Sequence, residues 1–380
     1  MESTEQADGS VSNSTTNAVD SPDTTPALSL PPELILAIFE RAVPEPPFLD
    51  DGEYKERLGT LLALALVHSS WTGAAQELLQ EAIKIEGFRV PPSDLEKRVE
   101  RVGTKTSKHA ETKWLSIEGG FHRVIKITGV ERWTGVRYLH VFNDSASGYP
   151  TLQFFATSFP RVETLKLSSD FTVKDFEPGL TFVHLRRLIL GDLGGHFELW
   201  DDLSAYHAAF SPTSMPNLVH LSLAVVHQFG LRIPQDVFGL LLPQLTTLAW
   251  IDFDYDGLED DAPPLPSRDT LQNLSHLSLK INHDSDLAST LVSGLRGGLN
   301  LKSLHLSYFG YHTSDLVLVI SSLLAAIAKE TKEEAQISRI FLHGLGKFRR
   351  EVEQASELLG ISMKNVEWRE DDLPFEDFGR

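Results

Sequence analysis

The sequence predicts an α/β chain in which short strands, each followed by a loop or helix, stack into a solenoid behind a small N-terminal helical module. Three observations carry this. An apolar pattern with hydrophobic residues at positions 1, 4 and 6 recurs eight times between residues 136 and 342. Three of those recurrences share a proline lead-in. The stretch before them shows the i, i+4 apolar spacing of helices instead.

Taken in order, residues 1–27 hold acids, Ser and Thr with no Lys or Arg and no apolar stretch. Such a segment cannot offset its ordering entropy and is expected to be disordered. It does not resemble a secretory or mitochondrial leader. Residues 28–88 are expected to form a helical module. Pro31 and Pro32 suit a helix entrance, where a missing N–H costs little. Glu33–Ala42 follows with Leu34, Ile35, Ile38 and Phe39 on one stripe. Val43–Asp51 reads as a loop, with three prolines and two aspartates before Gly52. Leu58–Trp71 and Gly73–Ile83 complete three amphipathic helices, which alone could bury only a modest core.

Residues 89–130 read as a connecting or capping segment. Within it, residues 91–113 carry Lys97, Arg98, Arg101, Lys105, Lys108 and Lys113, expected as a solvated face. Residues 131–368 hold the repeats. Positions 1, 4 and 6 are Val136/Leu139/Val141, Val162/Leu165/Leu167, Leu185/Leu188/Leu190 and Leu218/Leu221/Leu223. Leu245/Leu248/Trp250, Leu274/Leu277/Leu279, Leu301/Leu304/Leu306 and a weaker Ile337/Ile340/Leu342 continue the series. Successive first positions differ by 26, 23, 33, 27, 29, 27 and 36 residues. Most gaps fall in or near the leucine-rich-repeat range of about 20–29 residues, so the expected fold is an α/β leucine-rich-repeat solenoid. The lead-ins are Phe159-Pro160, Met215-Pro216 and Leu242-Pro243. Helical candidates lie at Asp286–Leu295, Ser314–Ala328 and Arg350–Leu359. Residues 369–380 read as an acidic tail, with Trp368 anchoring its start.

Acids outnumber bases, 53 against 34, for a formal charge of −19, which argues against nucleic acid or an anionic membrane as partner. There is no cysteine, so disulfides, Cys-ligated zinc, iron–sulfur clusters and thioester chemistry are excluded. The longest apolar run, Leu316–Ala328, is short of the roughly 20 residues a membrane span needs. A cytoplasmic or nuclear protein is expected.

No catalytic, cofactor or metal set is found. Asp252-Phe253-Asp254-Tyr255-Asp256-Gly257 opens like a calcium-binding EF-hand loop, but Pro263 stands where its closing Glu belongs, so an acidic surface loop is expected. In the predicted strand register, positions 3, 5 and 7 face outward on the concave side. There they set Tyr138, His140, Lys166, Arg187, His220, His276, Lys280, His305 and Arg339 as a client-binding surface.

Leu30-Pro31-Pro32-Glu33-Leu34 with Ile38-Phe39, and Leu64-Ala65-Leu66-Val67-His68-Ser69-Ser70-Trp71, resemble the F-box, with His68 where Cys is common. The longer proline-rich loop is similar to F-box-like proteins of mushroom-forming fungi. The resemblance covers about 55 residues. It implies a substrate-recognition subunit of an SCF-type cullin–RING ubiquitin ligase, with no catalysis of its own. The box would dock a Skp-type adaptor, and through it a cullin, while the repeats hold a protein client. By resemblance Leu30, Pro31, Leu34, Ile38, Leu64, Val67 and Trp71 are the box's apolar positions, divided between the adaptor and the box's own core. The alternative is a leucine-rich-repeat scaffold without a ligase role.

Overall fold

The computed structural model describes residues 30–43, 51–86, 112–129, 133–142, 150–168, 171–173, 176–191, 203–227, 238–254, 273–281, 301–308, 317, 320–325, 328, 337–360 and 362–370. Three helices come first: α1 (Pro32–Ala42), α2 (Asp51–Val67) and α3 (Thr72–Glu81), with a 3-10 turn at Ser69–Trp71. Pro32 occupies the first turn of α1, and the Pro31 carbonyl accepts from the amides of Leu34 and Ile35 at 3.0 and 3.1 Å. Ile35, Phe39, Leu61, Ala75 and Leu78 form the module's own core. Helix α2 starts seven residues earlier than its apolar periodicity suggests, at the end of the expected loop.

Among the described residues eleven strands follow: β1 (Ala82–Glu86), β2 (Trp114–Glu118), β3 (Tyr138–Phe142), β4 (Thr164–Leu167), β5 (Arg187–Leu190) and β6 (His220–His227). They continue as β7 (Thr247–Asp254), β8 (His276–Ile281), β9 (Ser303–Tyr308), β10 (Arg339–His343) and β11 (Val366–Arg369). All pair in parallel, in sequence order, as one open sheet. Parallel neighbours need a crossover between them. Helices α4 (Phe121–Thr128), α5 (Leu152–Ser158) and α6 (Leu203–Ala209) lie on such connections. Helix α7 (Arg349–Leu358) lies on the last, and residues 317, 320–325 and 328 are also helical.

The 1-4-6 pattern is the core. Position 4 pairs with position 4 along the sheet, Leu139 with Leu165, then Leu188, Leu221, Leu248, Leu277, Leu304 and Ile340. Those residues, their position-1 partners and most position-6 partners join one continuous buried cluster. A further apolar position lies three residues before position 1. There Trp133, Phe159, Phe182, Met215 and Leu242 are buried, and each carbonyl accepts from the position-1 amide. Proline in the second place of that turn presets its φ, which explains the lead-in at Pro160, Pro216 and Pro243.

The sequence-based boundaries need correction at three places. The sheet begins at Ala82, inside the segment assigned to the helical module. The segment assigned as a connection contains β2 and α4. Strand β11 adds an eleventh unit in which Val366 and Trp368 take positions 4 and 6. In β1 and β2 those positions are Ile83/Ile85 and Leu115/Ile117, but position 1 is Gln80 and Thr112. Their polar position 1 hides both units from the apolar pattern, and Thr112 Oγ1 donates to the Gln80 carbonyl at 3.0 Å instead. Asp252 and Asp254 belong to β7 rather than to a loop. Residues 1–27, 91–111, 286–295 and 371–380 lie outside the described residues.

Candidate functional site

The helical module divides its apolar residues between two faces. Ile35 and Phe39 point into the module core, with Trp71 edge-on to Phe39 at 5.5 Å between centroids. Leu34 and Ile38 sit one position before them in the same turns and are 53% and 40% exposed. On α2, Leu61 is sealed while Leu62, Leu66 and Val67 are 57%, 87% and 63% exposed. Of the residues assigned to the adaptor, Pro31, Leu34, Ile38 and Val67 are therefore on the surface. Leu30, Leu64 and Trp71 are half-buried against the module core. Leu62 and Leu66 were missed as surface residues. Their signal was present: Leu61 to Val67 is apolar all round the helix, more than one packed face can use. His68 caps the 3-10 turn, its Nδ1 accepting from the Ser70 amide at 3.2 Å.

The module is joined to the sheet through its first edge. Tyr54 of α2 stacks on Trp114 of β2 at 5.8 Å, and Trp114 stacks on Tyr138 of β3 at 5.5 Å with planes 5° apart. The Lys84 amide of edge strand β1 donates to Tyr54 Oη at 3.0 Å. Arg57, with its side chain 4% exposed, donates to the Leu78 carbonyl at 3.1 Å and pairs with Glu81 at 3.4 Å. Glu81 also accepts from Lys113 Nζ at 2.7 Å.

The second surface is the sheet face carrying positions 3, 5 and 7. Alternation predicts it as open polar surface, but much of it is closed. Tyr138 and His220 are buried, as are Ser116, Ser222 and Ser278. Burial of these polar groups is compensated by hydrogen bonds within and between strands. His140 reaches Ser116 Oγ at 2.9 Å and Ser168 Oγ at 3.2 Å, and His220 reaches Ser222 Oγ at 2.7 Å. His276 reaches Ser303 Oγ at 2.8 Å. Tyr138 and His220 are thus closed off from a client, whereas His140 is half-buried between its two serines. Lys166, Arg187, His276 and His305 are half-buried and Arg339 is exposed. Lys280 stands in register with Ser307, and its side chain lies outside the described residues.

His305 Nδ1 and His343 Nε2 are 2.9 Å apart. That is hydrogen-bond distance, shorter than the about 3.3 Å that separates two nitrogens on one tetrahedral zinc. The two rings share a proton rather than chelate. Burial, then the charges of His343, His276 and Arg369, lowers the His305 pKa to about 3, so His305 is uncharged at neutral pH. Among the described residues no group of three His, Cys, Asp or Glu could hold a metal ion. Among them, too, no helix is long and apolar enough to cross a membrane. No protein-family model matches the chain, and no curated protein matches it.

Proposed function

We propose that this chain is the substrate-recognition subunit of an SCF-type cullin–RING ubiquitin ligase. In this reading the helical module is an F-box that docks a Skp-type adaptor, and the strand repeats are leucine-rich repeats that carry a protein client. The chain contributes no bond-making step; it holds the client near a ligase assembled on the adaptor and cullin. The observation that supports the reading best is the exposed set Leu34, Ile38, Leu62, Leu66 and Val67 on two helices of one small module. Fully burying an aliphatic side chain yields about 1.5–3 kcal/mol. These five are partly covered already, yet together they offer several kcal/mol toward an association cost of about 4–15 kcal/mol.

The test is co-expression with a Skp-type adaptor followed by affinity purification. The expected result is a stable complex, lost in Leu34→Glu/Ile38→Glu while circular dichroism and thermal melting stay those of the parent. A folded wild-type chain that captures no Skp-type adaptor would reject the ligase role and leave a repeat scaffold.

A further inference from the structure

The sheet face differs from end to end. At its N-terminal end the cation Lys84 is matched by Glu118 at 2.7 Å. In its middle Ile189, Ser222 and Ala249 are buried, with the half-buried cations Lys166 and Arg187 beside them on β4 and β5. The C-terminal end, on β8 to β11, is organised otherwise. The His305 ring lies over Phe341 with centroids 4.3 Å apart and planes 21° apart, and over His343 at 5.2 Å and 22°. Phe341 and His343 are buried, so the three rings form a floor. Arg369 lies 5.4 Å from the Phe341 ring and is half exposed, and Arg339 is exposed on the same strand as Phe341. Glu367 is the one carboxylate on this part of the face among the described residues, 3.2 Å from Arg369. Lys280 continues the same backbone rows on β8.

We propose that this end of the sheet binds a carboxylate-rich peptide segment, its acidic side chains meeting Arg339 and Arg369 above the His305–Phe341–His343 floor. Guanidinium groups are suited to this because they present paired donors to a carboxylate and keep their charge when partly desolvated. The floor supplies apolar and hydrogen-bonding contact. The overall charge of −19 does not forbid an acidic ligand. At physiological salt, exposed charges are screened beyond about 8 Å, so the local arginines outweigh distant acids. The proposal deepens the receptor reading by giving the chemical class of the client.

The test is fluorescence anisotropy on the full chain without adaptor. The probes are a labelled peptide of six glutamates flanked by glycines, and its six-glutamine counterpart. The glutamate peptide is expected to bind at least tenfold tighter, and the preference to shrink as salt rises from 0.1 to 0.5 M. Arg339→Gln/Arg369→Gln is expected to remove the preference; Arg137→Gln, at the other end of the sheet, is expected to keep it. Equal affinity for the two peptides, binding of neither, or a double variant that retains the preference would overturn the proposal. Because no adaptor takes part, such a failure is separate from failure of the adaptor reading.

Discussion

His140 shows how a polar residue serves a core. Its two ring nitrogens contact Ser116 on β2 and Ser168 just past the end of β4, so one imidazole ties β3 to both neighbouring units. Burial first, then the charges of Lys166 and Lys84, lowers its pKa from 6.5 to about 3. Above pH 6.5 the ring is neutral both folded and unfolded, and stability is unaffected by this group. Between pH 6.5 and about 3 the unfolded chain binds a proton that the folded chain refuses, so stability falls as pH falls. His305 acts in the same window and direction. Chemical denaturation is therefore expected to show falling stability below pH 6.5, and His140→Gln to flatten part of that slope. His140→Ala is expected to cost about 1–3 kcal/mol at pH 7.5 by stripping a partner from buried Ser116. None of this was legible from alternation along a strand, which equates polar with exposed. The bonds that hold the ring run to serines on the neighbouring units, which alternation along a single strand does not show.

At the scale of elements, the informative one is α2, which belongs to two structures at once. Its Leu61 and Arg57 hold the module together, and its Tyr54 holds the sheet's first edge. An edge strand presents unpaired backbone groups, and covering it with a helix is one way proteins protect it. Tyr54→Phe removes only the bond to the Lys84 amide and is expected to cost about 1 kcal/mol. Tyr54→Ala also removes the stack on Trp114 and is expected to cost about 3 kcal/mol, read from urea denaturation. The three module helices and α7 were legible from their apolar spacing, and eight strands from the 1-4-6 pattern; α4, α5 and α6 were not. Strands β1 and β2 escaped because Gln80 and Thr112 replace the leucine or valine of position 1. The start of α2 escaped because Asp51, Gly52 and Glu53 give no apolar period.

Across the whole molecule, each strand pairs only with its sequence neighbours, and stability in such an array is a sum of local units and interfaces. Ten inter-strand steps of about 4.8 Å separate β1 from β11 along the sheet. Sites so far apart are expected to behave additively. Leu34→Glu/Ile38→Glu should therefore leave acidic-peptide binding within twofold of the parent, and Arg339→Gln/Arg369→Gln should leave adaptor capture intact. The division of the chain into a helical part and a strand-repeat part was legible in outline, since helical and strand periodicities occupy different stretches. Which apolar side chains of the module stay outside was not, because helical spacing places Leu34 and Ile35 side by side and only packing separates them.

Hydrogen–deuterium exchange of the full chain, alone and with a Skp-type adaptor, probes the ligase reading at its contact surface. Slowed exchange confined to residues 30–43 and 51–71, with β3 to β11 unchanged, is the predicted result. Adaptor-dependent protection on the strands, or none on the module, would contradict the account.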